Sequence, residues 1–445
     1  MKRGKKIRIE GIYVEKLFGL YDYEIPGNED PKNIEKVLIL YGDNGSGKTT
    51  ILRLIFHLLA CEYAEGHKTF VSQTKFKRFI MKFSNKYKVV AKRKGDKLLG
   101  TFLLELWKAE KRIASTEFLV DAENITKSGS PNEEENNKFL DTLRSLGLTL
   151  YLLGDDRTVH VTNPHGAQRQ MYRRRAMEER STVSTWESSG QELDPEQISI
   201  RLLEESMQRL RGWIRNHVMH GSTRGESDVN VIFSDIIENI ASEQRRGPRK
   251  KATRREYVVE RINKIEQRNK EFSKFGLTPS FNGKKLMDAI DKASNKFKSI
   301  RPIIVPYLDS HEAKLNALDD IQCTIEKFVY TINSFMVDKS ISFRVRRGFT
   351  ILSRNREVLS PRMLSSGERH LLLLFCNAIT ALDEQSIFII DEPEISLNIK
   401  WQRNLITSLL DFVKDSAVQY VFASHSMQIL AQHEDKVVKL VSTKE

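Results

Sequence analysis

The sequence predicts an α/β fold: a mixed sheet with an antiparallel β subdomain, interrupted by a mainly α-helical insertion. Three observations carry this. Lys36-Val37-Leu38-Ile39-Leu40-Tyr41 is an apolar strand that runs into a Gly-rich turn and then a helical pattern. Ser386 to Ile390 is a short apolar run with polar bounds, the signature of a strand buried on both faces. From about 160 to 340 the pattern changes to helical spacing, as in Leu203, Met207, Leu210 and Ile214.

Taken in order, Ile7, Ile9, Ile12, Val14 and Leu17 alternate with polar residues and predict two short strands over 7–25 with a turn at Gly19. A helix is expected from Thr49 through Tyr63. Hairpins follow, with strands at Tyr87 to Arg93, Leu98 to Trp107 and Ile113 to Val120, then an exposed loop at Ser128 to Asn132. A strand at Leu148 to Leu153 ends in Gly154-Asp155-Asp156-Arg157. In the insertion, Val258, Ile262 and Ile265, and Leu286, Ile290 and Ala293, keep helical spacing, and the Gly-rich stretches near 221–228 and 274–283 read as breaks. Strands resume at Ile341 to Val345 and Phe349 to Leu352. The expected domains are therefore 1–159, 160–340 and 341–445.

Composition bounds the rest. The chain has 445 residues, 72 Lys+Arg against 59 Asp+Glu, and a formal charge of +13. A length of roughly 150 residues per domain suggests two to three domains. No apolar run approaches the roughly 20 residues of a membrane span. The basic start, Met1 to Lys6, lacks the apolar stretch of a signal peptide. Cys61, Cys323 and Cys376 lie far apart with no CxxC, so a reducing, cytoplasmic setting is expected and no zinc site.

Four segments carry chemistry. Gly42-Asp43-Asn44-Gly45-Ser46-Gly47-Lys48-Thr49 satisfies GxxxxGK[ST] between a buried strand and a helix. There backbone N–H groups can close around phosphates, Lys48 can reach the β- and γ-phosphates, and Thr49 can hold Mg²⁺. Gly42, Asn44, Gly45, Ser46, Gly47, Lys48, Thr49 and Thr50 form the expected ATP-binding set. The Ser386 strand delivers Asp391 and Glu392 at its C-terminal end, where open α/β sheets bind ligands. Asp391 is expected in the Mg²⁺ shell, with Glu392 activating the attacking water. Ser365, Ser366, Gly367 and Glu368 open a helix in a segment that begins at Leu364, 27 residues before Asp391, an anion-binding arrangement that also reads as a plain helix cap. His425 ends a strand, Val418 to Ala423, 34 residues after Asp391.

The order of phosphate loop, Leu364-Ser365-Ser366-Gly367-Glu368, Asp391-Glu392-Pro393, Ser396-Leu397-Asn398 and His425 resembles that of ABC-type ATPases. The Asp391-to-Leu397 run followed by Trp401-Gln402 is similar to the overcoming-lysogenization-defect and SMC-like ATPases, the AAA15 kind found in antiphage defence. Among these, length and insert size most resemble the ATPase of the PARIS system, with the Septu and retron-associated ATPases beside it. The resemblance covers roughly 7–157 and 341–435. It implies an ABC-type ATPase head and at least a head-to-tail homodimer, or a higher assembly of dimers where the insertion, 160–340, serves oligomerisation or partner binding. In that dimer Ser365, Ser366 and Gly367 of one subunit close on the γ-phosphate held by Lys48 of the other. His425 is the implied switch histidine, and Asn398 lies at the seam. It further implies a separate effector, a TOPRIM nuclease, since only 20 residues follow His425. The family's glutamine after the Leu148 strand is missing. Asp155, Asp156 or Gln73 are candidate substitutes. An ATPase of DNA repair or chromosome maintenance, of the RecF and RecN kind, is the alternative.

The surplus charge is clustered. Lys75 to Lys97 holds ten basic residues and one acid, interleaved with Phe76, Phe79, Phe83 and Tyr87 at helix-face spacing. Arg245 to Arg255 holds seven basic residues and no acid. Arg173-Arg174-Arg175 and Lys2 to Lys6 complete the set. Such clusters fit an acidic trigger, DNA or a DNA-mimic protein, or else solvated faces. His217 and His220 stand three apart, a weak metal-ligand spacing beside Trp213.

Overall fold

The computed structural model describes residues 6–27, 36–62, 66–126, 133–155, 158–163, 195–241, 255–292 and 297–442. The chain divides into two units, Met1–Leu202 with Asn377–Glu445, and Leu203–Cys376. These units part at other places than 160 and 340: β-strand pairing extends the first unit beyond 160, and the strands over 339–359 group with the insertion while those from 386 on belong to the first unit.

The first unit holds two sheets. One is antiparallel, built from β1 (Ile9–Leu17), β2 (Tyr21–Ile25), β4 (Arg78–Phe83), β5 (Tyr87–Arg93), β6 (Phe102–Lys108) and β7 (Lys111–Phe118) in the order β2-β1-β4-β5-β6-β7. The other contains β3 (Val37–Tyr41), β8 (Thr149–Leu153), β9 (Val159–Thr162), β13 (Ser386–Asp391), β14 (Val418–Ala423) and β15 (Val437–Lys439), ordered β15-β3-β14-β13-β8-β9. Its pairs are parallel except β8 with β9. This is the mixed α/β architecture with an antiparallel β subdomain that the sequence predicts.

α1 (Lys48–Leu59) and α3 (Glu133–Arg144) belong to the same apolar core as both sheets. Ile51, Leu52, Leu54, Ile55, Phe56, Leu58 and Leu59 cluster with Val14, Phe79 and Met81 on one side and Leu38, Ile389 and Val421 on the other. A helix apolar nearly all round is a buried helix. Each such side chain contributes about 1.5–3 kcal/mol by leaving water.

α1 ends at Leu59, short of the expected Tyr63, where Ala60 turns extended. A buried lysine closes it. Lys68, in α2 (His67–Gln73), donates from Nζ to the carbonyls of His57 at 2.8 Å, Leu58 at 3.0 Å and Ala60 at 2.9 Å. These are the orphan acceptors of a helix C-terminus. Burial depresses the Lys68 amine to about 8, against the pull of Cys61 and Glu62. Lys68→Met leaves those carbonyls without their donor and is expected to destabilise the unit by about 1–3 kcal/mol, read from denaturant unfolding. Between pH 8 and 10.5 the unfolded chain binds the Lys68 proton and the folded one does not, so wild-type stability rises with pH there. The Met variant is expected to lack that rise.

The aromatics at 76, 79 and 83 do not form a helix face. They belong to the antiparallel sheet and its approach, where Phe79, Met81 and Phe83 share the inward side of β4 and Phe76 packs on Phe79 at a 6.4 Å ring separation. All three rings are buried, so they are core. The basic residues around them are largely engaged. Arg93 is 5% exposed and donates to the carbonyls of Val71 and Thr74, both at 2.7 Å, and of Gly100. Lys92 pairs with Glu105 at 3.0 Å, Lys94 with Glu117 at 2.7 Å, and Lys77 with Asp96 at 3.6 Å. Lys88 lies over the Trp107 ring at 4.9 Å.

The second unit contains most of α4 (Pro195–Ala241), with α5 (Arg255–Lys274), α6 (Gly283–Lys292), α7 (Phe297–Phe335) and the sheet β10 (Lys339–Arg344), β11 (Gly348–Ser353), β12 (Val358–Leu359). α4 runs unbroken through 221–228, contrary to the expected loop. The glycines there serve close approach: a Cβ on Gly221 would stand 2.7 Å from the Ala317 carbonyl oxygen, and one on Gly225 3.2 Å from Lys314 Cα, both on α7. Arg261 of α5 pairs with Glu312 at 2.7 Å and with Asp309, holding α5 to α7. His217 packs on Trp213 at a 3.8 Å ring separation and has its Nδ1 2.9 Å from the Trp213 carbonyl. The clusters at 2–5, 173–175 and 245–254, the loop at 128–132, and Tyr63, Asp156 and Ala293 lie outside the described residues.

Candidate nucleotide-hydrolysis site

β3, β14 and β13 are consecutive parallel neighbours, so their C-terminal ends open on the same edge of the sheet. That edge is where loops of an open α/β sheet meet a ligand. β3 leads into the phosphate loop, β13 into Asp391-Glu392-Pro393-Glu394, and β14 into Ser424-His425-Ser426. Cross-links fix the three ends: Glu392 N–H donates to the Ala423 carbonyl at 2.9 Å, and Ser424 N–H to that of Leu40 at 3.1 Å.

The phosphate loop is wound as the motif requires. Gly45 and Gly47 hold φ of 83° and 90°, the left-handed region that glycine enters without a Cβ penalty. Gly47 is doubly constrained, since an added Cβ would lie 2.6 Å from Leu17 Cδ2 and 3.1 Å from Phe18 Cε2. The β1–β2 turn therefore caps the loop, and Tyr23 Oη anchors it from beneath by donating to the Ser46 carbonyl at 2.8 Å. Neither contact was legible in the motif, although the aromatic turn lies only some thirty residues upstream. Lys48 folds back over the loop, with Nζ donating to the carbonyls of Gly42 at 2.8 Å and Asp43 at 3.0 Å. Burial lowers its affinity for the proton, while Asp391, Glu392 and Asp43 act the other way.

The motifs converge at Asp391. Thr49, the second residue of α1, has its side chain close enough to Asp391 to favour the ionised carboxylate. A hydroxyl and a carboxylate are the hard oxygen donors that suit Mg²⁺. Burial raises the Asp391 pKa above the usual carboxylate range. Asp155 and Glu392 raise it further, and Thr49 and Arg53 oppose. Asp155 thus stands within electrostatic reach of Asp391, and it pairs with Arg53 at 3.5 Å. Gln73 is elsewhere, donating to the Glu123 carbonyl at 3.3 Å. Glu392 follows at a φ of 46°, and Ser396 at 63°. Asn398 then caps α9 (Ile399–Val413), accepting from Trp401 N–H at 3.0 Å.

Ser365 and Glu368 belong to the second unit, where they form a reciprocal capping box at the start of α8 (Ser366–Thr380). Ser365 N–H donates to Glu368 Oε2 at 2.7 Å, and Glu368 N–H to Ser365 Oγ at 3.3 Å. Lys339 Nζ adds a 2.7 Å pair to the same carboxylate, so Glu368 shapes the helix start. Ser365 itself remains exposed, Ser366 is half-buried and Gly367 is buried.

A phosphate loop with a buried lysine after β3, and a buried carboxylate, Asp391, at the same end of β13 across β14, define a P-loop nucleotide hydrolase. The AAA ATPase domain model of the AAA_15 family matches residues 30–430, and the chain belongs to that family; it is an ATPase. It is 24% identical over 247 residues to the Retron Ec83 probable ATPase of Escherichia coli, a stretch that is 52% of this chain and 42% of that protein. The chain therefore spans less than half the length of that relative. Among solved structures it is similar to the Smc head domain with an extended coiled coil from Pyrococcus furiosus, at a TM-score of 0.36 and 13% identity over 98% of this chain and 96% of that one. The Smc head domain with a coiled coil and joint from Pyrococcus yayanosii follows at a TM-score of 0.35, with 13% identity over 98% and 97%. No helix among the described residues is long and apolar enough to cross a membrane.

Proposed function

We propose that the chain is the ATP-driven switch of an antiphage defence system, pairing head to tail around ATP·Mg²⁺ and controlling a separate effector. The observation that carries the ATP-dependent part is the Lys48 cradle, its Nζ held on the Gly42 and Asp43 carbonyls within electrostatic reach of Asp391 and Glu392. Lys48 and the loop N–H groups bind the phosphates; Thr49 and Asp391 would hold Mg²⁺, which would supply charge neutralisation for phosphoryl transfer. Glu392 orients the attacking water and takes its proton, and His425 senses the γ-phosphate. Ser365, Ser366 and Gly367 of the partner copy complete the site, so ATP favours the closed pair and hydrolysis releases it.

Similarity to a retron-associated protein supports the defence setting. Within that setting we assign the PARIS kind, whose ATPase AriA the chain resembles in length and in the size of the helical insertion; the effector is then a TOPRIM nuclease and the trigger an acidic molecule, DNA or a DNA mimic. Septu and retron systems are the competing assignments. The repair reading has less support at the Lys75–Lys97 segment, where several basic side chains are paired within the sheet.

Two measurements test this. In light scattering, the chain with Glu392→Gln is expected to double in mass with ATP and Mg²⁺ but not with ADP; an unchanged mass overturns the head-to-tail pair. Tagged protein co-expressed with the neighbouring reading frame is expected to retain a TOPRIM nuclease. Retention of a reverse transcriptase or an HNH nuclease moves the assignment to a retron or Septu system, and retention of nothing overturns the effector role.

A further inference from the structure

The residue after Pro393 has a place that the motif reading did not give it. Glu394 turns its Oε1 toward the loop after β14, where it accepts from Ser424 Oγ at 2.8 Å, His425 N–H at 2.8 Å and Ser426 N–H at 3.0 Å. Ser424 Oγ also accepts from Ser426 N–H at 3.1 Å, closing the turn on itself. Ser426 Oγ continues the chain to Gln402 Oε1 at 2.7 Å, and Gln402 Nε2 donates to the Leu397 carbonyl at 2.9 Å. One network thus joins the segment after β13, the start of α9 and the loop that carries His425. The other carboxylate oxygen, Oε2, is buried with no hydrogen-bond partner among the described residues.

We infer that Glu394 is a positioning residue for ATP hydrolysis, locking the Ser424-His425-Ser426 loop to the strand end that carries Asp391 and Glu392. Two consecutive backbone N–H groups and a hydroxyl converging on one carboxylate oxygen fix both the height and the direction of the loop. A neutral loop held only by its ladder bonds would be free to rotate His425 away from the strand ends, and a displacement of about 1 Å at a reacting group can cost on the order of a hundredfold in rate. Charge-assisted bonds of this kind are about twice as strong as neutral ones. Gln402, singled out in the sequence only as part of a family-like run, is the outer end of the same clamp. The inference rests on the reading of His425 given above.

Three variants in the full chain separate geometry from charge. Glu394→Gln keeps an acceptor oxygen at the same reach and is expected to hold kcat within about fivefold. Glu394→Asp keeps the charge but is one methylene short of its three donors, and Glu394→Ala has no acceptor; both are expected to lower kcat by about 10- to 100-fold with KM for ATP within about threefold. In a His425→Ala background, Glu394→Ala is expected to add less than about a twofold loss, because both changes disable one unit. Wild-type kcat in Glu394→Ala, recovery by Asp but not by Gln, or a full additional loss in the His425→Ala background each overturns the inference. Hydrogen exchange decides independently of His425: the amides of residues 425 and 426 are expected to exchange at least tenfold faster in Glu394→Ala than in wild type or Glu394→Gln. Equal exchange in all three overturns the clamp, whereas a wild-type rate in His425→Ala with the exchange difference intact overturns the role of His425 and leaves the clamp standing.

Discussion

Lys48→Ala is expected to abolish nucleotide binding, raising the ATP dissociation constant at least about 100-fold, on the order of 3 kcal/mol. Two losses add. The ammonium is 6% exposed, in a site where charge is poorly screened, so its attraction for phosphate oxygens exceeds that of a surface lysine. It also ties the loop together through the Gly42 and Asp43 carbonyls, at 2.8 and 3.0 Å, and each such bond contributes about 1 kcal/mol net. The fold should survive, since the buried residues of α1 that join both sheets lie beyond Lys48 on the same helix. Calorimetric titration with ATP and Mg²⁺, beside a thermal melt of the same sample, checks both halves. ATP binding at wild-type affinity by a folded Lys48→Ala chain would remove Lys48 from the site.

The parts of this site that could be read from the sequence are those in which a short local pattern determines a local structure. A buried strand, a Gly turn that needs positive φ and a helix start are all encoded within the residues that form them, which is why the phosphate loop, the Asp391 strand and the His425 strand stand where expected. Strand β5 and strand β14 even keep their expected ends. The failures share a physical cause: the deciding partner is distant in the chain. Gly221 and Gly225 look like breakers until α7 is seen to pass within contact distance of their missing Cβ atoms. Phe76, Phe79 and Phe83 satisfy helical spacing by coincidence. Phe79, Met81 and Phe83 also stand at period two, the strand spacing, but Ile80 between them blurs the alternation. The basic run from Lys75 looked like a free surface because Glu105 and Glu117, which neutralise part of it, lie on the next strands of the sheet. Glu394 binds a loop 30 to 32 residues onward, and no spacing rule announces that.

Glu392→Gln is expected to leave ATP binding within a few-fold of wild type and to lower kcat by about 10²–10³, the scale lost when a group acting on the attacking water is removed. The substitution is nearly isosteric and spares what the backbone does here: Glu392 holds its φ of 46° between Asp391 and Pro393 while its N–H donates to Ala423 at 2.9 Å. What disappears is one negative charge beside Asp391. Burial is the main cause that lifts the Asp391 pKa, with Asp155 and Glu392 adding to it. Removing the Glu392 charge therefore moves the Asp391 pKa downward, and the carboxylate stays ionised to lower pH. Because Asp391 must be ionised to hold the metal, Mg²⁺-dependent ATP binding in Glu392→Gln is expected to persist to more acidic pH than in wild type, even as turnover falls. Affinity measured against pH in the two proteins separates this from a general loss of structure, which would weaken binding at every pH. Hydrolysis at the wild-type rate by Glu392→Gln would show that another group activates the water, and Asp155, which pairs with Arg53 and stands within electrostatic reach of Asp391, would be the next carboxylate to replace.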